Sequence, residues 1–140
     1  MNDDPFDLQR FVDTQAPLYE QVLRELRAGR KQSHWMWFVF PQIAGLGYSP
    51  MAVRYAISGR EEAAAYDAHP VLGARLRECT ALVNQVEGRT AHQIFGSPDD
   101  LKFRSCMTLF SLCAADPRIY QDSLDRYFEG AGDPLTIDRL

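Results

Sequence analysis

KQSHWMWFVFPQIAGLGYS, residues 31–49, is the stretch from which the rest of the chain can be read. Trp35, Trp37, Phe38 and Phe40 fall within six positions, and every residue from Trp35 to Phe40 is apolar. A large aromatic side chain buries about 150–250 Å², so this run alone can anchor the core of a small domain. Periodicity does not say whether a run that is apolar throughout is a buried strand or a buried helix. Pro41 ends it in either case, because proline breaks both the helix and the sheet ladder. A cationic and polar edge (Lys31, Ser33, His34) precedes the run, and Gln42 and a Gly45-Leu46-Gly47 turn follow it.

The flanks decide in favour of a short buried helix. Proline is tolerated at a helix start, where its missing N–H has no partner to lose. Pro50, Pro70, Pro98, Pro117 and Pro134 all read as such starts, four of them behind a Ser or Asp able to cap. Pro17 begins another helix. Gly29, Gly88, Gly96 and Gly130 sit where a left-handed C-terminal residue is wanted. Between these marks the apolar spacing is helical: Leu18, Val22 and Leu26; Leu72, Leu76, Cys79, Val83 and Val86; Leu101, Met107, Phe110 and Cys113. Ser58-Gly59-Arg60-Glu61 reads as a capping box ahead of an alanine-rich run. No Asn-Gly hairpin turn or series of alternating strands occurs. The expectation is an all-α fold: one compact, orthogonal multi-helix domain of about seven helices over residues 1–140.

Composition bounds the function. A chain of 140 residues is long enough to bury a core without staples. Net charge is −4 and the isoelectric point near 5.3, which argues against duplex DNA as a partner. Thirteen of the 15 basic residues are arginine; the two lysines, Lys31 and Lys102, lie in the two densest polar-aromatic stretches. Cys79, Cys106 and Cys113 are odd in number and lack a Cys-x-x-Cys spacing, so a reduced cytoplasmic setting is expected. No apolar stretch approaches 18 residues, so neither a membrane span nor an export signal is expected.

Two blocks carry a resemblance. The first is Lys31-x-x-His34-Trp35-x-Trp37-Phe38-x-Phe40-Pro41-Gln42 with Gly45-Leu46-Gly47-x-Ser49; the second is Asp99-Asp100-x-Lys102-Phe103-x-Ser105-x-Met107-Thr108-Leu109-Phe110. Together they resemble a bacterial family of unknown function that is often mislabelled "calpastatin". The likeness covers almost the whole chain and implies one compact helical domain, without implying an activity. Cys106 stands where that resemblance leads one to expect a second serine. Inhibition of calpain is set aside on physical grounds: such inhibitors are long, disordered and poor in aromatics, whereas this chain is 11% aromatic and has a foldable pattern. A looser likeness, carried by Lys102-Phe103, is to helical glycosidases that process ADP-ribose-type conjugates.

The candidate site residues come from the same blocks. His34 can carry a proton near neutral pH, or be a histidine tied to backbone. Trp35 and Trp37 can offer a stacking face or be core. The Gly45-x-Gly47-x-Ser49 turn can hold a phosphate or be a plain capped turn. Asp99 and Asp100 suit the first turn of a helix, and Asp100 is spaced to pair with Arg104. Lys102, Ser105 and Thr108 recur at steps of three and make a polar stripe on the Pro98 helix. Polar groups embedded in apolar blocks must be satisfied by each other, by water or by a ligand. The expectation is that Lys31, His34, Gln42, Asp100, Lys102, Ser105 and Thr108 border one concavity with a tryptophan face. His34 and Asp100 are the candidates for proton transfer. The isolated His69 and His92 match no metal site, and no metal or other cofactor is implied.

Two functions of different class follow. One is a pocket for a small anionic or nucleotide-like ligand, with hydrolysis of a glycosidic bond as its extension. The other is a non-catalytic helical interaction or assembly module. Either would work as a monomer or a weak homo-oligomer.

Overall fold

Among all the segments, Asp99–Cys113 most needs company. Phe103, Cys106, Met107, Leu109 and Phe110 are fully buried, and they point to nearly every side of that helix. An apolar helix of this kind belongs in the middle of a helical protein. The computed structural model describes residues 3–140, and that helix is its centre.

Ten α-helical segments follow one another among the described residues. They are α1 (Gln9–Gln15), α2 (Tyr19–Arg27), α3 (Met36–Val39), α4 (Pro50–Arg54), α5 (Arg60–Ala68), α6 (Leu72–Asn84), α7 (Ala91–Phe95), α8 (Asp99–Cys113), α9 (Arg118–Phe128) and α10 (Pro134–Asp138). A 3₁₀ turn at Ala16–Leu18 joins α1 to α2. α8 packs on α9, α5, α7 and α10, while α6 bridges α9, α5 and α2. The only strand-like pairing among the described residues is one parallel bridge between Ile43 and Ile57. The fold is all-α and forms a single domain, with four helices of a turn or so beside the longer ones. No described helix is long and apolar enough to cross a membrane.

The punctuation works as its chemistry requires. Pro50 and Pro134 open α4 and α10, Pro98 and Pro117 stand one residue before α8 and α9, and Pro70 precedes α6 by two. Gly29, Gly88, Gly96 and Gly130 all have positive φ. Two local readings are corrected. Ser58 makes no capping box with Glu61; Gly59 is the N-cap, and the Ser58 N–H donates instead to Glu62, whose other oxygen holds Arg10. The box that does form is Thr90 with Gln93, at the start of α7. Leu101 is not part of the buried stripe of α8 but stands 56% exposed.

The Trp35–Phe40 run is helical, as α3, and buried on all residues but Trp37. Phe40 meets Phe103 at 5.0 Å and Phe95 at 5.9 Å between ring centroids, and Phe95 stacks on Phe103 at 4.6 Å. This aromatic junction fastens α3 to α7 and α8. The Lys31 N–H donates to the Ile94 carbonyl at 2.7 Å, which places the polar edge of the first block beside the start of α8. The core therefore determines where the two polar blocks meet.

Candidate functional site

Both lysines converge on Asp99. Lys31 Nζ lies 2.8 Å from one carboxylate oxygen and Lys102 Nζ 3.8 Å from the other. Each ammonium also lies over a tryptophan, 5.1 Å from the Trp35 ring centroid for Lys31 and 5.3 Å from that of Trp37 for Lys102, within the range of cation–π attraction. Asp99 thus does more than complement the helix dipole. One carboxylate serves two ammonium groups, so one positive charge remains in excess.

The Lys31 half of this arrangement is closed. Only 7% of the Lys31 side chain is exposed, and Trp35 is fully buried, its indole N–H donating to Glu25 at 3.0 Å. Glu25 also accepts the backbone N–H groups of Gln32 and Ser33 at 2.7 and 2.9 Å and the Ser33 hydroxyl at 2.7 Å. Burial by itself would raise the Glu25 carboxyl, but these donors outweigh it and bring the pKa down to about 2. Trp35 is therefore core and offers no stacking face.

The Lys102 half opens on a groove of about 570 Å³. Its walls come from the Gln42–Ser49 loop with α4, from the first two turns of α8 with Pro98, and from Asp133 and Leu135 at α10. The loop is positioned by the Ile43–Ile57 bridge, in which Ile57 N–H donates to the Gln42 carbonyl at 2.9 Å. Glycine is required at 47 because a Cβ there would come within 2.7 Å of the Ala52 Cβ, closer than carbon atoms pack. At 45 the backbone adopts φ +96°, which suits glycine. Ser49 caps α4 by accepting from Ala52 N–H at 3.1 Å. The turn is thus a packed, capped connection.

On the far wall, α10 is pinned to α8. Ser105 Oγ and Thr136 Oγ1 each donate to Asp133 at 2.7 Å, and the Asp133 N–H donates to Thr108 Oγ1 at 2.8 Å. The Arg104 guanidinium donates to the Ala131 and Gly132 carbonyls at 3.0 and 2.9 Å. Burial alone would raise the Asp133 carboxyl; the Ser105 and Thr136 hydroxyls, the Leu135 N–H and the Arg104 charge instead hold it below the usual carboxylate range. Arg104 therefore does not pair with Asp100 as its spacing suggested. Asp100 turns to His92, 3.5 Å away.

Of the candidates named from sequence, Gln42, Lys102 and Ser105 line the groove, and Trp37 lines a small recess that shares Gln42 and Lys102 with it. The Gln42 side-chain amide has no hydrogen-bond partner among the described residues. Lys31 sits behind Asp99, outside the groove. His34 is exposed and Asp100 is engaged with His92, and neither borders the groove, so they are not brought together for proton transfer. Thr108 lies fully buried beneath the α10 connection. Sequence reasoning missed Tyr48, Leu101, Arg104, Asp133 and Leu135, all of which line the groove. Tyr48 had a signal, since it follows the double-glycine turn and nothing in its own neighbourhood asks for an aromatic; Asp133 read only as the cap of a short helix.

The cysteines take no part. Burial pushes the Cys79 thiol up to about 12 and that of Cys106 well above its ordinary range, so both remain protonated packing groups.

A helical domain carrying a cation-floored groove is the class of protein that this geometry defines. Comparison with known proteins then places it: residues 5–140 match the family described as "Protein of unknown function (DUF1810)", and the chain belongs to that family. It is similar in structure to the conserved hypothetical protein Rv1873 from Mycobacterium tuberculosis, known from a crystal structure at 1.38 Å. The TM-score is 0.97 at 58% sequence identity, with 98% of each chain covered. No curated protein matches the chain.

Proposed function

We propose that the groove binds a small ligand whose anionic group is received by Lys102. The observation that supports this is the uneven sharing of Asp99: Lys31 takes it at 2.8 Å, leaving Lys102 at 3.8 Å with 25% of its side chain exposed on the groove floor. Lys102 and Arg104 bring two positive charges to the lining against one negative charge on Asp133, in a chain of net charge −4. The volume falls within the usual range of small-molecule sites, about 300–1,000 Å³. Tyr48 on the rim adds an aromatic face, so a nucleotide-like ligand suits the site.

Binding is favoured over hydrolysis. Asp133 is the one carboxylate among the described residues of the lining, and its donors keep it below the usual carboxylate range. Glycosidic cleavage usually employs a pair of carboxyl groups, one kept protonated. An ADP-ribose-type conjugate enters this reading as a ligand. Cytoplasmic residence fits three free cysteines.

A second reading, an interaction module, is favoured by the exposure of Leu101 and Leu135 at the rim. A thermal-shift series with inorganic phosphate, AMP, ADP-ribose and 4-methylbenzoate separates the two. An anion at 100 times its Kd stabilises by about 2.7 kcal/mol, which is roughly 5–10 °C for a chain of this size. Lys102→Glu abolishes that shift while leaving the unliganded midpoint within a few degrees. No shift with any of the four anions would leave the interaction module as the better reading.

A further inference from the structure

We infer that the ligand of this groove is amphoteric: a small molecule with an apolar or aromatic body, one anionic group received by Lys102, and an amino group received by Asp133. The inference rests on the anion-binding reading above and adds the second charge. Lys102 stands on α8, and Asp133, at the start of α10, is tied to the same helix. Ser105 is three residues from Lys102 on α8, a spacing at which side chains are neighbours, with Cβ atoms about 5–6 Å apart. Ser105 Oγ in turn donates to Asp133 Oδ2 at 2.7 Å. A cation and a carboxylate therefore border one cavity.

Asp133 keeps capacity for a further donor. Oδ2 accepts both hydroxyls, from Ser105 and Thr136, while Oδ1 receives only the Leu135 N–H at a long 3.3 Å. An ionised carboxylate has about four acceptor positions. A second anionic group at the Asp133 end of a ligand would meet the carboxylate there, and like charges repel. An amino group placed there meets an acceptor already oriented by its cap. Leu46, Leu101, Leu135 and Tyr48 supply apolar surface to the same lining, and the Gln42 amide there carries both donors and an acceptor.

The test uses the intact chain and a matched set of probes, with Kd measured by calorimetry at pH 7. The probes are 4-methylbenzoate (anion alone), 4-methylbenzylamine (cation alone), and two amphoteric molecules of different charge spacing, 4-(aminomethyl)benzoate and phenylalanine. At least one amphoteric probe is expected to bind about tenfold or more tighter than 4-methylbenzoate, as a hydrogen bond to a charged acceptor supplies. Asp133→Asn, which keeps an oxygen to accept from Ser105 and Thr136, is expected to bring that ratio close to one with 4-methylbenzoate affinity unchanged or improved. If neither amphoteric probe exceeds 4-methylbenzoate on the wild-type chain, the amphoteric inference falls, whatever the variant does. Binding of 4-methylbenzoate that is lost in Lys102→Glu would leave the anion reading standing in that case.

Discussion

Lys31 and Lys102 are set up alike and end differently. Each ammonium lies over a tryptophan ring at little more than 5 Å, and each reaches the same carboxylate, Asp99. On the Lys31 side the ring is Trp35, buried and tied by its N–H to Glu25, and the ion pair is short. On the Lys102 side the ring is the half-buried Trp37, the pair is stretched, and the ammonium looks into a groove. The difference lies in what surrounds each pair. Glu25 collects the donors of residues 32–35 and closes one side, whereas the other side faces the groove between the Gln42–Ser49 loop and α10. A lysine–tryptophan pair thus becomes framework where its neighbours satisfy every polar group, and a site where they leave one unsatisfied.

The sharpest way to break this contrast is to truncate the two rings. Trp35→Ala should cost about 3–5 kcal/mol, enough to leave little folded protein in mild urea. Trp37→Ala should cost roughly 1–3 kcal/mol, in keeping with its partial burial. Equal shifts in the urea midpoints would mean that the two sides are not framework and site.

Next comes the acid that closes the framework side. The folded Glu25 carboxyl titrates at about 2, below an unfolded glutamate near 4.3. A depressed folded pKa contributes stability that is complete above pH ~4.5 and is lost as pH falls toward 2. Glu25→Gln should therefore destabilise by roughly 2–3 kcal/mol at pH 7 and by much less at pH 2.5. Chemical denaturation at the two pH values reads this directly, and a penalty independent of pH would contradict it.

Smaller again is the comparison of the two cations. Lys31→Met removes the close partner of a carboxylate that is 21% exposed and still has Lys102, so a loss of about 1–2 kcal/mol is expected. Lys102→Met should stay below about 1 kcal/mol, as exposed and stretched pairs do, and should instead remove anion binding. Reversal of that order in thermal melts would place the site on the wrong lysine. Least of all, Tyr48→Ala at a side chain 86% exposed should leave stability within about 0.5 kcal/mol while weakening aromatic ligands.

The helices were legible for local reasons. Proline, glycine and i, i+3, i+4 apolar spacing act within a few residues, so the starts at Pro50 and Pro134 and the stripe from Leu72 to Val83 follow from the chain itself. Ser58 shows the limit of the same logic: it has the residue type of a cap, but Glu62 is drawn to Arg10, 52 positions away, and takes the Ser58 N–H with it. Cys106, by contrast, is simply buried, as an apolar-face cysteine should be. The convergence of the two lysines was anticipated because two polar blocks inside apolar runs have few places to meet. The identity of their shared partner was not, since Asp99 carries an equally good local reason to sit where it does.

By itself the sequence determined an all-helical domain and the aromatic run that anchors its core, and it named two polar blocks. Only the tertiary structure decided which members of those blocks face a cavity. It turned Trp35, His34, Asp100 and Thr108 away and brought in Tyr48, Leu101, Arg104, Asp133 and Leu135. The physical reason is range. Helix propensity, capping and amphipathic spacing are settled among neighbours along the chain. A groove is instead made by contacts such as Ser105 with Asp133, 28 residues apart, whose partners are chosen by the packing of the core between them.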